Sequence, residues 1–224
     1  MVQLLVGPEW FYGLDTLFET FSIIVSFLVG VLAYKIYKLT SQKKYLNFCT
    51  AFLMIAAALS FKIISNFVVF YKTVEKTFYG LFTVTYTHSF DFINLASLYL
   101  FRVMFLIAFL IILINIYGIK DKKIISLIVF LSIVSIFFSN FTYLLFHLIL
   151  ALVIGFISFH YFKNYSSKKR RTALLVMLSF LAIFLSQLMF IFYVYQTGFY
   201  VLAETFQLLG FLFLLLAYVL ISRK

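Results

Sequence analysis

The sequence predicts an all-α fold: a polytopic membrane protein built as a seven-transmembrane-helix bundle, with its N-terminus outside and its C-terminus inside. Three observations carry that expectation: the composition, the spacing of the apolar runs, and the placement of basic residues between them.

Composition sets the class. Of 224 residues, 65% are apolar and 22% aromatic, and only 11% are charged. Soluble domains carry about a quarter charged residues. A chain of this length has no core large enough to hide so much apolar surface, so its solvent is lipid. Eighteen basic against seven acidic residues give +11, an excess that points to nucleic acid in a soluble chain. Here the basic residues fall in the gaps between apolar runs, so membrane lipid is the expected partner and nucleic acid is not. The expected location is the cell membrane, and residues 1–224 read as one transmembrane domain with no soluble domain attached.

Seven runs follow in order. A helix rises about 1.5 Å per residue, so about 20 residues cross a hydrocarbon core of roughly 30 Å. The first run, Leu14–Tyr37, follows Trp10, Phe11 and Tyr12, which read as interfacial anchors. The start has no basic n-region and carries Glu9 and Asp15, unlike a signal peptide. The second and third runs are Tyr45–Tyr71 and Asp91–Tyr117. Between them lies an outer gap, Lys72–Phe90, where Thr83, Val84, Thr85, Tyr86 and Thr87 alternate after Gly80. That pattern fits a short β-hairpin over the outer mouth, and equally an aromatic loop resting on headgroups. The fourth and fifth runs, Ile124–Ser139 and Phe141–Phe162, form a stretch too long for one span whose only strong turn residue is Asn140, so they read as a tight helical hairpin. Asn140 opens an NFT sequon, but so tight a turn is a poor glycosylation site. The sixth and seventh runs are Thr172–Gln196 and Phe199–Ile221.

Orientation follows from the gaps. Lys35, Lys38, Lys43 and Lys44 flank the first gap, and Lys120, Lys122 and Lys123 the third. Lys163, Lys168, Lys169, Arg170 and Arg171 occupy the fifth, and Arg223 and Lys224 end the chain. Fourteen basic residues on one side face two, Lys72 and Lys76, on the other, and the positive side is cytoplasmic. The cluster in "KNYSSKKRR" is chiefly a topology determinant, and it also fits an anionic lipid or a cytoplasmic signalling partner.

Polar residues recur at helical spacing. Asp15, Glu19, Ser22, Ser26, Gly30 and Ala33 share one face of the first run; Ala58, Lys62, Ser65 and Asn66 one face of the second; Asp91, Leu98 and Arg102 one face of the third. The fifth run aligns Tyr143, His147, Ala151, Gly155 and Ser158, the sixth Ser179, Ser186 and Gln187, and the seventh Tyr200, Glu204 and Gln207. Small and hydrogen-bonding residues facing inward, with bulk facing lipid, is the pattern of a membrane bundle. At about 1.5 Å per residue, Glu19, His147 and Glu204 lie roughly 8–9 Å from the outer ends, Lys62, Gln187 and Gln207 about 13–14 Å, and Arg102 about 16 Å. An intramembrane charge costs some 2.5–3.5 kcal/mol even on insertion scales, so such groups pair or face water. The expected pocket therefore sets Lys62 and Arg102 against Glu19 and Glu204, with His147, Gln187 and Gln207 completing it. A purely structural ion-pair network explains the same charges equally well, because ion pairs bind helices together; lysine can snorkel, but Lys62 lies about six residues too deep to do so easily and Arg102 deeper still. For His147 alone, an interhelical hydrogen bond is the ordinary role.

Several chemistries find no footing. Cys49 is the only cysteine, so no intrachain disulfide or CxxC site forms. His88, His147 and His160 sit at different depths, which disfavours a shared metal site. No HExxH, GxSxG or paired-Asp motif marks an enzyme, and no cofactor is expected.

Two resemblances bear on these residues. Seven helices with the N-terminus outside and a long second gap resemble the layout of microbial rhodopsins, whose retinal requires a lysine in the middle of the seventh helix. "FYVLAETFQLLGFLFLLLAYVLI" has none there, so the likeness is one of topology. The stretch "FETFSIIVSFLVGVLAYKIYKLTSQKKYLNF" resembles uncharacterised archaeal seven-helix membrane proteins, some akin to sensor input modules. Glu19, Tyr34, Lys35, Tyr37, Lys38, Thr40 and Lys44 carry that likeness. It implies a membrane location and little about mechanism; the outward pocket makes a sensor- or receptor-like or accessory role the first reading. A transporter or channel ranks second, because Pro8 is the only proline and broken helices are not indicated; an intramembrane enzyme ranks third.

The missing lysine yields a first expected outcome. Retinal added to the purified protein gives no red-shifted absorbance that survives borohydride reduction, and a reduced adduct mapped to Lys62 would restore the rhodopsin reading.

Overall fold

In lipid no water satisfies the backbone, so an apolar chain with one proline and eight glycines has the α-helix as its ready solution. The computed structural model, which describes residues 8–11, 13–78, 88–138 and 143–222, has that form. A 3-10 turn, Glu9–Phe11, precedes α1 (Leu14–Thr40), α2 (Lys43–Phe78), α3 (His88–Tyr117), α4 (Lys122–Phe138), α5 (Tyr143–Lys168), α6 (Arg171–Phe192) and α7 (Gly198–Ser222). No strand occurs among the described residues. All but α4 are long and apolar enough to cross a membrane, which makes this a multi-pass membrane protein. The 17 residues of α4 reach about 25 Å.

Helix ends follow local chemistry. At the start of α1 the Asp15 carboxylate accepts from the Thr16 and Gly13 backbone N–H groups at 2.7 and 3.0 Å, at the positive end of the helix dipole. Ser41 ends α1 in the left-handed region (φ 53°), its N–H donating to Tyr37 O at 2.7 Å. Lys169 ends α5 in the same way, with φ 46° and its N–H 2.8 Å from Tyr165 O.

Three boundaries depart from the sequence reading. α5 runs six residues past Phe162 to Lys168, so most of "KNYSSKKRR" is helix and its loop is only Lys169 and Arg170. Lysines tolerate a helix beyond the apolar layer, which hydropathy alone cannot see. α6 stops at Phe192, four residues before Gln196. Tyr193 and Tyr195 continue the apolar pattern but form tight turns, with N–H groups bonded to Phe190 O and Phe192 O at 3.3 and 3.0 Å. Finally, α2 extends to Phe78 and α3 begins at His88, so helix takes both flanks of the expected hairpin. Its alternating core, Thr83–Thr87, and the Asn140 turn lie outside the described residues.

The helices close a ring. α1 packs on α2, α2 on α3, α3 on α5, α5 on α6, α6 on α7, and α7 returns to α1, while α4 lies outside against α3 and α5. Of the described α4 side chains only Ser132 and Ile136 are buried, too few for a place in the ring. The expected small-residue stripes are the inward faces: the buried residues of α1 are Asp15, Glu19, Ser22, Val25, Ser26, Gly30 and Ala33. Large apolar residues such as Phe27, Phe130, Phe156 and Leu216 point outward to lipid.

α6 and α7 approach closely at Gly210. A Cβ placed on Gly210 would lie 2.5 Å from Ile183 Cγ1 and 3.0 Å from the Ser179 carbonyl oxygen. Ile183 is β-branched and the carbonyl is backbone, so neither yields easily. Gly210→Ala is expected to destabilise the protein in detergent by about 1–3 kcal/mol, the usual overpacking cost. An unchanged melting temperature would show that the seam has slack.

Candidate functional site

The polar side chains gather at the end of the bundle where α1, α3, α5 and α7 begin, while the basic loops occupy the other end. Glu19 lies five residues into α1, His147 four into α5 and Glu204 six into α7. At this end α2 overhangs its neighbours: it runs 16 residues beyond Lys62, about 24 Å.

Lys62 is the centre of the site. Its Nζ lies 2.8 Å from Glu19 Oε1 and 2.5 Å from Glu204 Oε1, tying α2 to α1 and α7 together. The two carboxylates are 0% and 1% exposed and the lysine side chain 13%. Asn66, one turn on from Lys62, donates Nδ2–H to both oxygens of Glu19 at 3.1 Å. The aromatic faces of Phe101 and Phe190, 5.8 and 5.5 Å from Nζ, also favour the cation.

Arg102 stands elsewhere. The expected pocket sets Lys62 and Arg102 against Glu19 and Glu204; in the structure Lys62 reaches both acids. Arg102 is buried on α3, with its guanidinium 5.6 Å above the Phe146 ring of α5. Helix order decides this: α1 and α7 are neighbours of each other, so their acids converge on one amine.

The remaining seams carry their own links. His147 Nδ1 and Gln187 Oε1 meet at 2.8 Å between α5 and α6. Ser65 donates to Asn94 Oδ1 at 2.6 Å between α2 and α3. Phe190 lies against His147 at a tilt of 33°, with centroids 4.7 Å apart, and meets Tyr200 edge-on at 5.8 Å. Above them Phe11, taken from sequence as an interfacial anchor, is 3% exposed and packs with Phe190, Tyr200 and Ala203. Trp10 beside it is 69% exposed and keeps the anchor's position. An aromatic triplet does not reveal which of its rings the bundle end will take in.

These groups surround a cavity of about 50 Å3. Lys62, Arg102, His147, Gln187 and Gln207 line it, so five of the seven expected residues face one space. Glu19 and Glu204 sit behind Lys62 and do not line it. Asn66, Leu98, Phe101, Phe105, Phe146 and Phe190 complete much of the wall. Asn66 and Leu98 belonged to the expected polar faces. Asn94 did not, although it stands one turn from Asp91 and Leu98, a spacing that could have found it. The phenylalanines carry no sequence signal in a chain with 32 of them.

Below the polar layer buried apolar side chains follow within one turn on α2, α3, α5, α6 and α7, while Ser22 and Ser26 on α1 and Ser179 on α6 are buried deeper in the bundle. Lys62 is followed inward by Ala58 and Leu59, Arg102 by Phe105 and Leu106, His147 by Leu150 and Ala151, Gln187 by Ile183, and Gln207 by Phe211, all buried. The cavity has a floor.

No family model matches this chain, and no curated protein or solved structure matches it either.

The charge arrangement orders the variants. Lys62→Met leaves two buried carboxylates without their cation and is expected to cost about 3–5 kcal/mol. Glu204→Gln leaves Lys62 paired one to one with Glu19 and costs less. The triple change Lys62→Met, Glu19→Gln, Glu204→Gln recovers part of the loss. Melting temperatures in detergent read the series; a Glu204→Gln loss equal to that of Lys62→Met would show that the lysine does not hold the two acids together.

Proposed function

We propose that this protein is a seven-span, N-out, C-in protein of the cell membrane whose outward polar pocket binds a small ligand, in the manner of a sensor- or receptor-like module. The observation that carries the reading is the apolar floor. A transporter or channel needs polar groups continuing to the opposite face, or broken helices, whereas here Lys62, Arg102, His147, Gln187 and Gln207 each give way to buried apolar side chains one turn inward, and the polar groups deeper in are serines such as Ser26 and Ser179. The pocket is a dead end, which suits recognition.

Chain direction supports the seven-span count. The Tyr117 hydroxyl, at the end of α3, donates to Phe156 O well along α5 at 3.4 Å. Arg102 of α3 meets Phe146 near the start of α5. The two helices run parallel, so the chain must return across the layer between them, and α4 is the segment that does so. The fourteen-to-two distribution of Lys and Arg then sets the pocket end outside and the basic end inside.

Ligand signals have a route. Lys62 touches α1 and α7, and Phe190 joins Lys62, His147 and Tyr200, so occupancy would shift several helices at once. The basic residues Lys163, Lys168, Lys169, Arg170 and Arg171 would present that shift to anionic lipid or a cytoplasmic partner.

Two measurements test this. Reporters fused after Lys168 and Lys224 read cytoplasmic. In a Cys49→Ser background, Leu98→Cys reacts with a small membrane-impermeant methanethiosulfonate added outside, and Phe109→Cys, in the floor, does not. An external reporter signal, or an inert residue 98, would overturn the assignment.

A further inference from the structure

We propose that this pocket recognises a small planar molecule of no net charge that both donates and accepts hydrogen bonds, the chemistry shared by a short primary amide and by urea; the inference rests on the reading of the cavity as a ligand site. Gln207 points to it first. It is 3% exposed and lines the cavity, and among the described residues its amide makes no hydrogen bond to the protein. Buried amides are ordinarily satisfied, so one aimed into a cavity marks the place of a guest. Gln187, buried as deeply, turns its Oε1 to His147 Nδ1, and among the described residues its NH2 has no protein partner. Tyr200 is buried too and lines the same space, and its hydroxyl makes no hydrogen bond among the described residues.

Charge balance makes the guest neutral. Lys62 and Arg102 line the space, and Glu19 and Glu204 stand behind Lys62, so the two positive charges are already offset by two negative ones. Arg102 has a partner of its own, and neither cation is left over for an anion. Among the described residues no Asp or Glu lines the cavity, so a cationic guest meets no counter-charge on the wall. A guest of either sign would be a lone ion among aromatic rings, which is costly. The unpartnered groups then set the hydrogen bonds. The Gln187 NH2 only donates, while the Gln207 amide and the tyrosine hydroxyl donate and accept. A guest that only accepts leaves the Gln207 Oε1 unmet, and one that only donates leaves two NH2 groups unmet; a buried polar group without a partner carries a penalty. An amide or a urea presents C=O and N–H in one plane and meets both needs.

Size and shape narrow the class. A cavity of about 50 Å3 holds a few water molecules, each needing about 10–15 Å3 on this measure. That is room for roughly four heavy atoms, the size of acetamide or urea, and it excludes amino acids, nucleotides and lipid headgroups. The rings of Phe101, Phe105, Phe146 and Phe190 form much of the remaining wall, flat surfaces that suit the faces of a planar guest and leave its polar edge for the amides.

The test follows the modification rate of Leu98→Cys in the Cys49→Ser protein, reconstituted in vesicles, with acetamide, urea, acetone, acetate or guanidinium added at millimolar concentration. These solutes are alike in size and planarity and differ in charge and in what they donate. A ligand at about twice its Kd leaves one third of the sites open, so modification slows about threefold. Slowing by acetamide and urea together supports the shared chemistry; slowing by one of them alone supports it too and names the source. Equal slowing by acetate or guanidinium overturns the neutral assignment, and equal slowing by acetone overturns the need for a donor. Modification that no solute slows shows a cavity filled by water alone and overturns the proposal while leaving the pocket intact. Protection is lost in Gln207→Met, which keeps the side chain's length without its amide, measured against that variant's own unprotected rate. Its melting temperature is read in parallel, and full protection in a folded Gln207→Met overturns the assignment of Gln207 to the guest. Should that variant not fold, the solute series with Gln207 in place decides the class by itself. A residue 98 that never reacts instead removes the pocket itself.

Discussion

A lysine ammonium inside an apolar bundle has no water to hold it, and the arrangement around Lys62 follows from that one constraint. Its charge is met by two carboxylates that are themselves out of water, Glu19 on α1 and Glu204 on α7. None of the three is tolerable alone at this depth. The triad therefore specifies which helices meet: α2 must lie across the seam between α1 and α7, and that seam is where the first and last helices close the ring. Asn66 holds Glu19 from one turn farther along α2, so the register of α1 against α2 is set as well.

The other polar links repeat this logic at lower cost. Ser65 with Asn94 and His147 with Gln187 each join neighbouring helices by uncharged groups. All of them lie in the same end of the bundle as the triad. The opposite half is held by packing of Phe105, Phe109, Ile154, Phe180 and Phe211, by the close approach at Gly210 and by Asn115 of α3, which accepts from Asn47 Nδ2–H at 3.4 Å and donates to Lys44 O at 2.9 Å. Polarity thus changes along the bundle axis. One end has polar side chains around a space, the middle is mostly apolar with buried serines such as Ser26 and Ser179, and the far end is basic at the surface. Unbroken helices build the site entirely from side chains, so its chemistry depends on helix register and not on exposed backbone.

Phe190 connects the parts. One ring faces the Lys62 ammonium, lies tilted against His147 and meets Tyr200, against which Phe11 also packs. The 3-10 turn, α2, α5, α6 and α7 therefore share a contact beside the cavity. A guest that moved this ring would be felt on all of them, since packed side chains switch between discrete arrangements.

By itself the sequence determined the membrane class, the seven helical segments, and the inward stripe of each ring helix. Those properties depend on composition and on the period of the helix, and both are local. The α1 stripe from Asp15 to Ala33 was legible in full for this reason. Helix ends were less legible where Tyr193–Tyr195 or Lys163–Lys168 gave hydropathy no edge to detect. Only the tertiary structure decided the partners. A stripe gives the direction a residue faces within its own helix and says nothing of which helix stands opposite. That both acids belong to Lys62, that Arg102 lies over Phe146, that Phe11 is buried beside an exposed Trp10, and that α4 stands outside the ring all follow from the order and rotation of the helices. Those are set by packing between residues far apart in the chain.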